Sequence, residues 1–184
     1  MVIAAIGTAV GEGLGQVVKD AIKAVEGALT EGRSVVCIVA NHTTQQLEVL
    51  SSEHSHGGFA VPPRAIPGGD ALVFGSQSTG VLTGTEGSVT FGGDRVIFWV
   101  AWDNPWLGAN SSGAGLGGRL TGRYHYDNFT GTGNVNAQMI YEIFPTPGPY
   151  SVRTFLSEQH ADPTKGLRAV LPGGSGSVRA AMQV

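Results

Sequence analysis

The chain has 184 residues, a formal net charge of -3, 41% hydrophobic residues and 14% charged residues. This length suits one domain with its own core, and the absence of clustered Lys and Arg argues against nucleic acid as a partner. The 29 glycines are spread over many short segments, which indicates numerous turns and favours a β-sandwich or barrel. We predict a mainly β protein, a single domain over 1–184, in which an N-terminal amphipathic helix (1–30) packs on a β-sandwich (33–184).

The first thirty residues are amphipathic. On a helical wheel the large apolar side chains fall in one sector and the charged side chains fall opposite. The apolar set is Ile3, Ile6, Val10, Leu14, Val17, Val18, Ile22, Val25 and Leu29. Glycines weaken this helix, each by roughly 0.5–1 kcal/mol relative to alanine. A helix that needs a partner surface has two interpretations, an element docked on the protein body or a segment that inserts into a membrane.

Apolar and β-branched runs after residue 33 predict the strands. The run 34–40 is apolar after its first residue, Ser34, as in a strand buried on both faces, and the run 95–102 has the strongest β pattern. Further strands are predicted around 47–49 and at 71–74, 88–91, 120–126, 135–144, 150–155 and 177–184. The polar stretch 51–58 and the glycine-rich stretch 102–119 are predicted to be loops.

Patterns that would indicate catalysis or metal binding are weak. The run 113–118 matches G-x-G-x-x-G, but no helix pattern follows it to receive a phosphate. His54 and His56 form an H-x-H pair beside Glu53, and no third metal ligand is assignable. No nucleophile elbow, catalytic triad or carboxylate pair is evident. We therefore predict that the protein is not an enzyme and uses no metal and no cofactor.

Cysteine content and the chain start bear on localisation. Cys37 is the only cysteine, so an internal disulfide is excluded, and its apolar neighbours predict a buried side chain. No apolar run reaches the length of a transmembrane helix, and no cleavable signal is visible. We expect a protein that is secreted or released, either by an unconventional route or after removal of a signal, and that then acts at a target-cell membrane.

Two tryptophans have contrasting sequence environments. Trp99 lies in the strongest strand and is predicted to be in the core. Trp106 lies between Pro105 and Leu107 in the glycine-rich stretch, where an exposed Trp-Leu pair points to a binding surface. Tryptophan is favoured at membrane interfaces and on surfaces that bind sugar or choline. The alternative is a packed Trp106 that closes the loop over the core.

The order of these segments resembles the actinoporin-like family of pore-forming cytolysins, whose β-sandwich is shared with fungal fruit-body lectins. The resemblance covers nearly the whole chain. It rests on the amphipathic helix and on VVCIVANHT, AIPGGDALVFG, TGTEGSVTF, VIFWVAWDNPWLGAN and GLRAVLPGGSGSVRAAMQV. It implies a sandwich that binds a lipid headgroup, often the phosphocholine of sphingomyelin. It also implies that the N-terminal helix inserts into the bilayer and that several copies form a pore.

The resemblance also assigns residues. It places Ser55 in the headgroup pocket and Trp106 on the lipid-contacting loop, whereas Trp99, Ala101 and Leu107 stand where the family has a serine, a proline and a tyrosine. The predicted headgroup-binding set is Ser55, Trp102, Trp106, Leu107, Tyr124, Tyr126 and Tyr141. The resulting prediction is a membrane-binding protein that forms homo-oligomeric pores. The alternative is a lectin-like module that binds glycan or lipid without forming pores.

Overall fold

The computed structural model describes residues 16–133, 135–146, 168–170 and 177–178. These ranges contain one α-helix, eleven strands and a short 3-10 turn at Thr121–Arg123. The elements are α1 (Gln16–Ala28), β1 (Ser34–Asn41), β2 (Glu48–His56), β3 (Gly58–Val61), β4 (Asp70–Gln77), β5 (Thr85–Gly92), β6 (Ile97–Asn104), β7 (Ser111–Gly117), β8 (Tyr124–Thr130), β9 (Asn136–Pro145), β10 (Arg168–Val170) and β11 (Ser177–Val178).

The strands form two sheets. The seven-stranded sheet has the order β11-β10-β4-β1-β9-β8, with β3 also paired to β4, and the four-stranded sheet has the order β2-β5-β6-β7. All eight residues of β1 are buried, because β1 is central, antiparallel to β4 and parallel to β9. Large side chains such as Phe74, Phe91 and Phe98 fill the core between the sheets. This arrangement confirms the predicted β-sandwich.

The helix α1 packs on the outer face of the seven-stranded sheet. Val18, Ile22 and Val25 are buried in a cluster with apolar residues of β1, β4 and β9, and this cluster is separate from the core between the sheets. Gly75 of β4 allows a close approach, because a Cβ there would lie 2.7 Å from Val25 Cγ1. A helix docked on the sandwich is therefore present over 16–28.

The structure describes some of the other residues of the predicted helix. Leu29 follows the end of α1, is half-buried and packs against the same cluster. Val17 belongs to α1. The predictions for Ile3, Ile6, Val10 and Leu14 lie outside the described residues, as do those for the strand at 150–155 and for residues 179–184.

Two segments predicted as loops are strands. The polar residues 51–56 belong to β2, whose residues are mostly exposed, so an absence of apolar alternation suits this position. The glycine-rich residues 111–117 form β7, which pairs with β6 along its length. The predicted strand at 120–126 begins later, since the 3-10 turn precedes β8. Polar and glycine-rich edge strands carry little of the periodic signal that identifies a strand in a sequence.

Candidate functional site

Two connections lie together at one end of the sandwich. They are residues 78–84, between β4 and β5, and residues 105–110, between β6 and β7. The connections touch where Gly84 meets Pro105, because a Cβ on Gly84 would lie 2.7 Å from Pro105 Cα. We call these two connections the loop end.

The loop end exposes four large apolar side chains. Val81 is 90% exposed, Leu82 63%, Trp106 39% and Leu107 84%. Leu82 also has a φ of 58°, a left-handed conformation that costs a residue with a Cβ roughly 1–2 kcal/mol. Contiguous exposed apolar side chains on a protein surface mark an interaction site. Backbone strain at the same place fits that interpretation, since strained residues cluster at functional sites.

Arg33 holds Trp106 in place. Arg33 lies in the connection between α1 and β1, and its guanidinium carbon is 5.2 Å from the centroid of the Trp106 ring. The same side chain donates a hydrogen bond from Nη2 to the Trp106 carbonyl oxygen at 2.8 Å. The loop that carries Trp106 and Leu107 is therefore held against the connection that precedes β1, and both side chains remain exposed.

A groove of about 270 Å³ lies on the outer face of the four-stranded sheet. Small, polar and acidic residues dominate its lining. The lining residues are Glu53, Ser55, Glu86, Gly87, Ser88, Ala101, Trp102, Asp103, Ser111, Ser112 and Gly113. The groove borders the loop end, because Asp103 and Ser111 pair with each other and residues 104–110 connect them.

The groove is acidic. Glu86 and Asp103 are paired across β5 and β6, and Glu53 lines the same groove. Burial, and then repulsion from Glu86, raises the pKa of Asp103, while nearby His56 acts in the opposite direction. His56 Nδ1 lies 3.4 Å from Glu86 Oε2. Three carboxylates thus line the groove, and the imidazole of His56 contacts one of them, Glu86.

Trp99 flanks this groove and is not a core residue. Its side chain is 41% exposed and its indole lies on Gly115 of β7, where a Cβ would be 2.5 Å from Trp99 Nε1. The inward-facing residues of β6 are Phe98, Val100 and Trp102, which are buried. The prediction that Trp99 belongs to the core is therefore wrong, because alternation along β6 has the opposite phase.

Two residues of the predicted headgroup-binding set are buried. Trp102 is 1% exposed, and its ring centroid lies 5.6 Å from that of Phe74 in the core. Tyr141 is fully buried and donates a hydrogen bond to the Ala101 carbonyl oxygen at 2.6 Å. Their prediction as lipid-contacting residues is wrong for this fold, because both side chains point between the two sheets.

Tyr124 and Tyr126 lie far from the loop end. The strand β9 starts near the loop end, because its first residue pairs with Ser34, whose carbonyl oxygen accepts a hydrogen bond from Asn104 beside Pro105. Tyr126 pairs with Ile143, seven residues further along β9, which is about 23 Å at 3.3 Å per residue. The Tyr124 hydroxyl accepts a hydrogen bond from Gln45 Nε2 at 2.8 Å. Neither tyrosine joins a site with Trp106. Of the predicted set, the structure brings Ser55, Trp106 and Leu107 to the groove and the adjoining loop end.

The two histidines of the H-x-H pair have separate partners. His54 Nε2 lies 2.9 Å from Ser76 Oγ, whereas exposed His56 contacts Glu86. Among the residues that the structure describes, no group of three or more His, Cys, Asp or Glu side chains is arranged to hold a metal ion. Within the same ranges, no helix combines the length and apolar character needed to cross a membrane.

Comparison with solved structures shows the fold. The lipid binding protein Nakanori superposes with a TM-score of 0.61 at 18% sequence identity, over 70% of this chain and 79% of that chain. IP-1A from Alcaligenes faecalis superposes with a TM-score of 0.50 at 18% identity, over 64% of this chain and 94% of that chain. No family model and no curated protein sequence matches the chain.

Proposed function

We propose that this protein binds lipid membranes through its loop end. The observation that carries the proposal is the exposure of Val81, Leu82, Trp106 and Leu107 on two touching connections. Their transfer from water to the interfacial region of a bilayer is favourable in proportion to the apolar area that leaves water. Tryptophan is suited to this boundary because its ring is apolar and its N–H is polar. The fold neighbour Nakanori is itself described as a lipid binding protein.

Vesicle co-sedimentation tests the proposal. Full transfer of a leucine side chain is worth about 1.5–3 kcal/mol, and Leu107 is 84% exposed. We therefore expect Leu107→Ser to weaken binding to sphingomyelin or total-lipid vesicles by roughly tenfold or more. Val81→Ser should act in the same direction.

Leu50→Ser is the matched control. Leu50 is also exposed, at 59%, but it lies at the other end of the four-stranded sheet, beside Gly92. Its substitution should leave vesicle binding unchanged. Equal losses for Leu50→Ser and Leu107→Ser would assign the binding to general hydrophobicity and reject the loop end as the docking surface.

Pore formation is the second candidate function, with α1 as the inserting element. The observation that favours it is the separation of the two apolar clusters, because α1 covers the outer face of a sheet whose other face is already packed. Departure of the helix from the sheet would therefore leave the core between the two sheets closed. In this proposal the released protein docks on the target membrane, α1 exchanges its sheet contacts for the acyl boundary, and several copies assemble into the pore.

A disulfide between α1 and β4 separates docking from pore formation. A Cβ at Gly75 would lie 2.7 Å from Val25 Cγ1, close to the Cβ to Sγ distance of about 3 Å across a disulfide. We expect the combination of Val25→Cys and Gly75→Cys to bind vesicles in both redox states and to release trapped dye only after reduction. Leakage from the oxidised form would contradict helix insertion. Binding without leakage in either state would favour the lectin-like or lipid-binding module.

A further inference from the structure

We propose that the groove, together with Trp99, is a binding site for a sugar ring. The ligand is the hexose headgroup of a glycolipid or a free saccharide with the same ring. The glycolipid version rests on the membrane docking proposed above and names the headgroup that the docked protein selects. The site combines an exposed aromatic platform, a groove with hydrogen-bonding side chains and a floor of small residues.

Trp99 supplies the platform. Its indole lies flat along β7, since a Cβ on Gly115 would be 2.5 Å from Nε1 and a Cβ on Gly113 would be 3.4 Å from Cζ3. One face of the ring is therefore covered by glycine backbone while 41% of the residue remains exposed. Gly113 also lines the groove, so the six-membered ring of the indole borders it. The C–H face of a pyranose is apolar and covers such a ring favourably.

The groove supplies partners for sugar hydroxyls. Glu53, Glu86 and Asp103 line it together with Ser88 and Ser111. Carboxylate oxygens accept hydrogen bonds, and serine hydroxyls both donate and accept them. A hexose presents several hydroxyls around an apolar ring, so it fits a few polar groups beside an aromatic surface. The volume of about 270 Å³ suits one such ring better than a long oligosaccharide.

Charge separates a sugar from a headgroup whose net charge is negative. Glu53, Glu86 and Asp103 line the groove, and the nearby imidazole of His56 contacts Glu86. Asp103 is already disfavoured as an anion by burial and by Glu86. A phosphate beside these carboxylates would add like charge to a partly desolvated site. The hydroxyls of a neutral sugar donate hydrogen bonds to the same carboxylates without that repulsion.

The position of the groove matches a headgroup held at a membrane. Asp103 and Ser111 form the row of the sheet nearest the loop end, and residues 104–110 join them directly. The next row on the same face, with Ala101 and Gly113, is about 6.6 Å further along at 3.3 Å per residue. When Trp106 enters the membrane interface, the groove therefore lies next to the bilayer surface, where a projecting headgroup can enter it.

Binding to two kinds of vesicle tests the site. The vesicles contain phosphatidylcholine alone or phosphatidylcholine with a minor fraction of monohexosylceramide. We expect the full chain to bind the sugar-bearing vesicles roughly tenfold more tightly and Trp99→Ala to abolish that preference while retaining binding to phosphatidylcholine. Tyr126→Ala, which removes another exposed aromatic ring, one that belongs to the seven-stranded sheet and does not line the groove, should keep the preference. Trp99→Phe should keep part of it, which separates a lost platform from a lost fold.

Soluble competitors distinguish the ligand sources. Competition by methyl galactoside or methyl glucoside supports a site for the sugar ring itself, and preference for the glycolipid without such competition supports recognition of the membrane-held headgroup. Equal binding to both vesicles, an unchanged preference in Trp99→Ala, or competition by choline chloride in place of the glycosides would overturn the proposal. Membrane docking fails separately, when Leu107→Ser binds phosphatidylcholine vesicles as well as the unaltered chain does.

Discussion

The packing of α1 on β4 gives the most specific prediction for the free energy of unfolding. Gly75→Ala places a methyl group 2.7 Å from Val25 Cγ1 and 3.2 Å from Leu29 Cδ2, and overpacking of this kind costs about 1–3 kcal/mol. Val25→Ala removes two methyl groups from a fully buried site. After a gain of roughly 0.5 kcal/mol in helix propensity, it should cost about 1–2 kcal/mol.

The double variant is the informative one. The methyl group added at position 75 would occupy the space that Val25 Cγ1 vacates, so Gly75→Ala with Val25→Ala should cost at least about 1 kcal/mol less than the sum of the single changes. Urea unfolding gives the free energies, and hydrogen exchange of the amides in 16–28 reports on the helix alone. Val89→Ala, in the core between the sheets, should combine additively with Gly75→Ala. Additivity within about 0.5 kcal/mol at Val25 would refute the close approach of α1 to β4.

Four further predictions concern single side chains. Asn41→Ala should lower the free energy of unfolding by about 2–4 kcal/mol, because the buried Asn41 amide donates to the carbonyls of Gln45, Ile66 and Pro67; urea unfolding measures this. Burial lowers the pKa of His54 from 6.5, so stability should fall as the pH drops below 6.5, and melting curves of His54→Gln should show a weaker fall. Burial and Glu86 raise the pKa of Asp103, so Asp103→Asn should raise the melting temperature at neutral pH and lose that advantage in acid. Burial raises the pKa of the Cys37 thiol well above 9.0, so a disulfide reagent should label it only after unfolding in urea.

The parts of the fold that the sequence predicts are those with a one-sided or continuous apolar pattern. The run 35–40 is apolar throughout because β1 is covered by α1 on one face and by the four-stranded sheet on the other. The wheel of α1 predicts which side chains face the sheet, and Val18, Ile22 and Val25 do so. By contrast β2 has one exposed face and only His54 packed inward near its end, so its composition is that of a loop.

The candidate site depends on pairings that no local pattern encodes. Glu53, Glu86 and Asp103 come from three strands and meet through the registers of β2, β5 and β6. The connection that carries Val81 and Leu82 likewise touches the Trp106 connection only through the meeting of Gly84 and Pro105 that the structure records. A solitary apolar pair in a loop is common in sequences, whereas two pairs on touching loops form a surface. Sequence reasoning therefore identified one half of the loop end, and of the polar and acidic groove residues it identified Ser55 alone, through the family resemblance.

Trp99 shows why the phase of a strand matters for function. Every residue from 97 to 102 is apolar, so alternation cannot decide which tryptophan of β6 points inward. The neighbouring strand determines which tryptophan points outward, because β7 has Gly113 and Gly115 opposite Ala101 and Trp99. A large ring lies flat only on residues without side chains, so the outer face of β7 accommodates an indole from Trp99. Trp102 pairs with Ser112 and points into the core. The glycine-rich composition of β7 led to its prediction as a loop. The same glycines leave room for the Trp99 ring and so create the aromatic platform beside the groove.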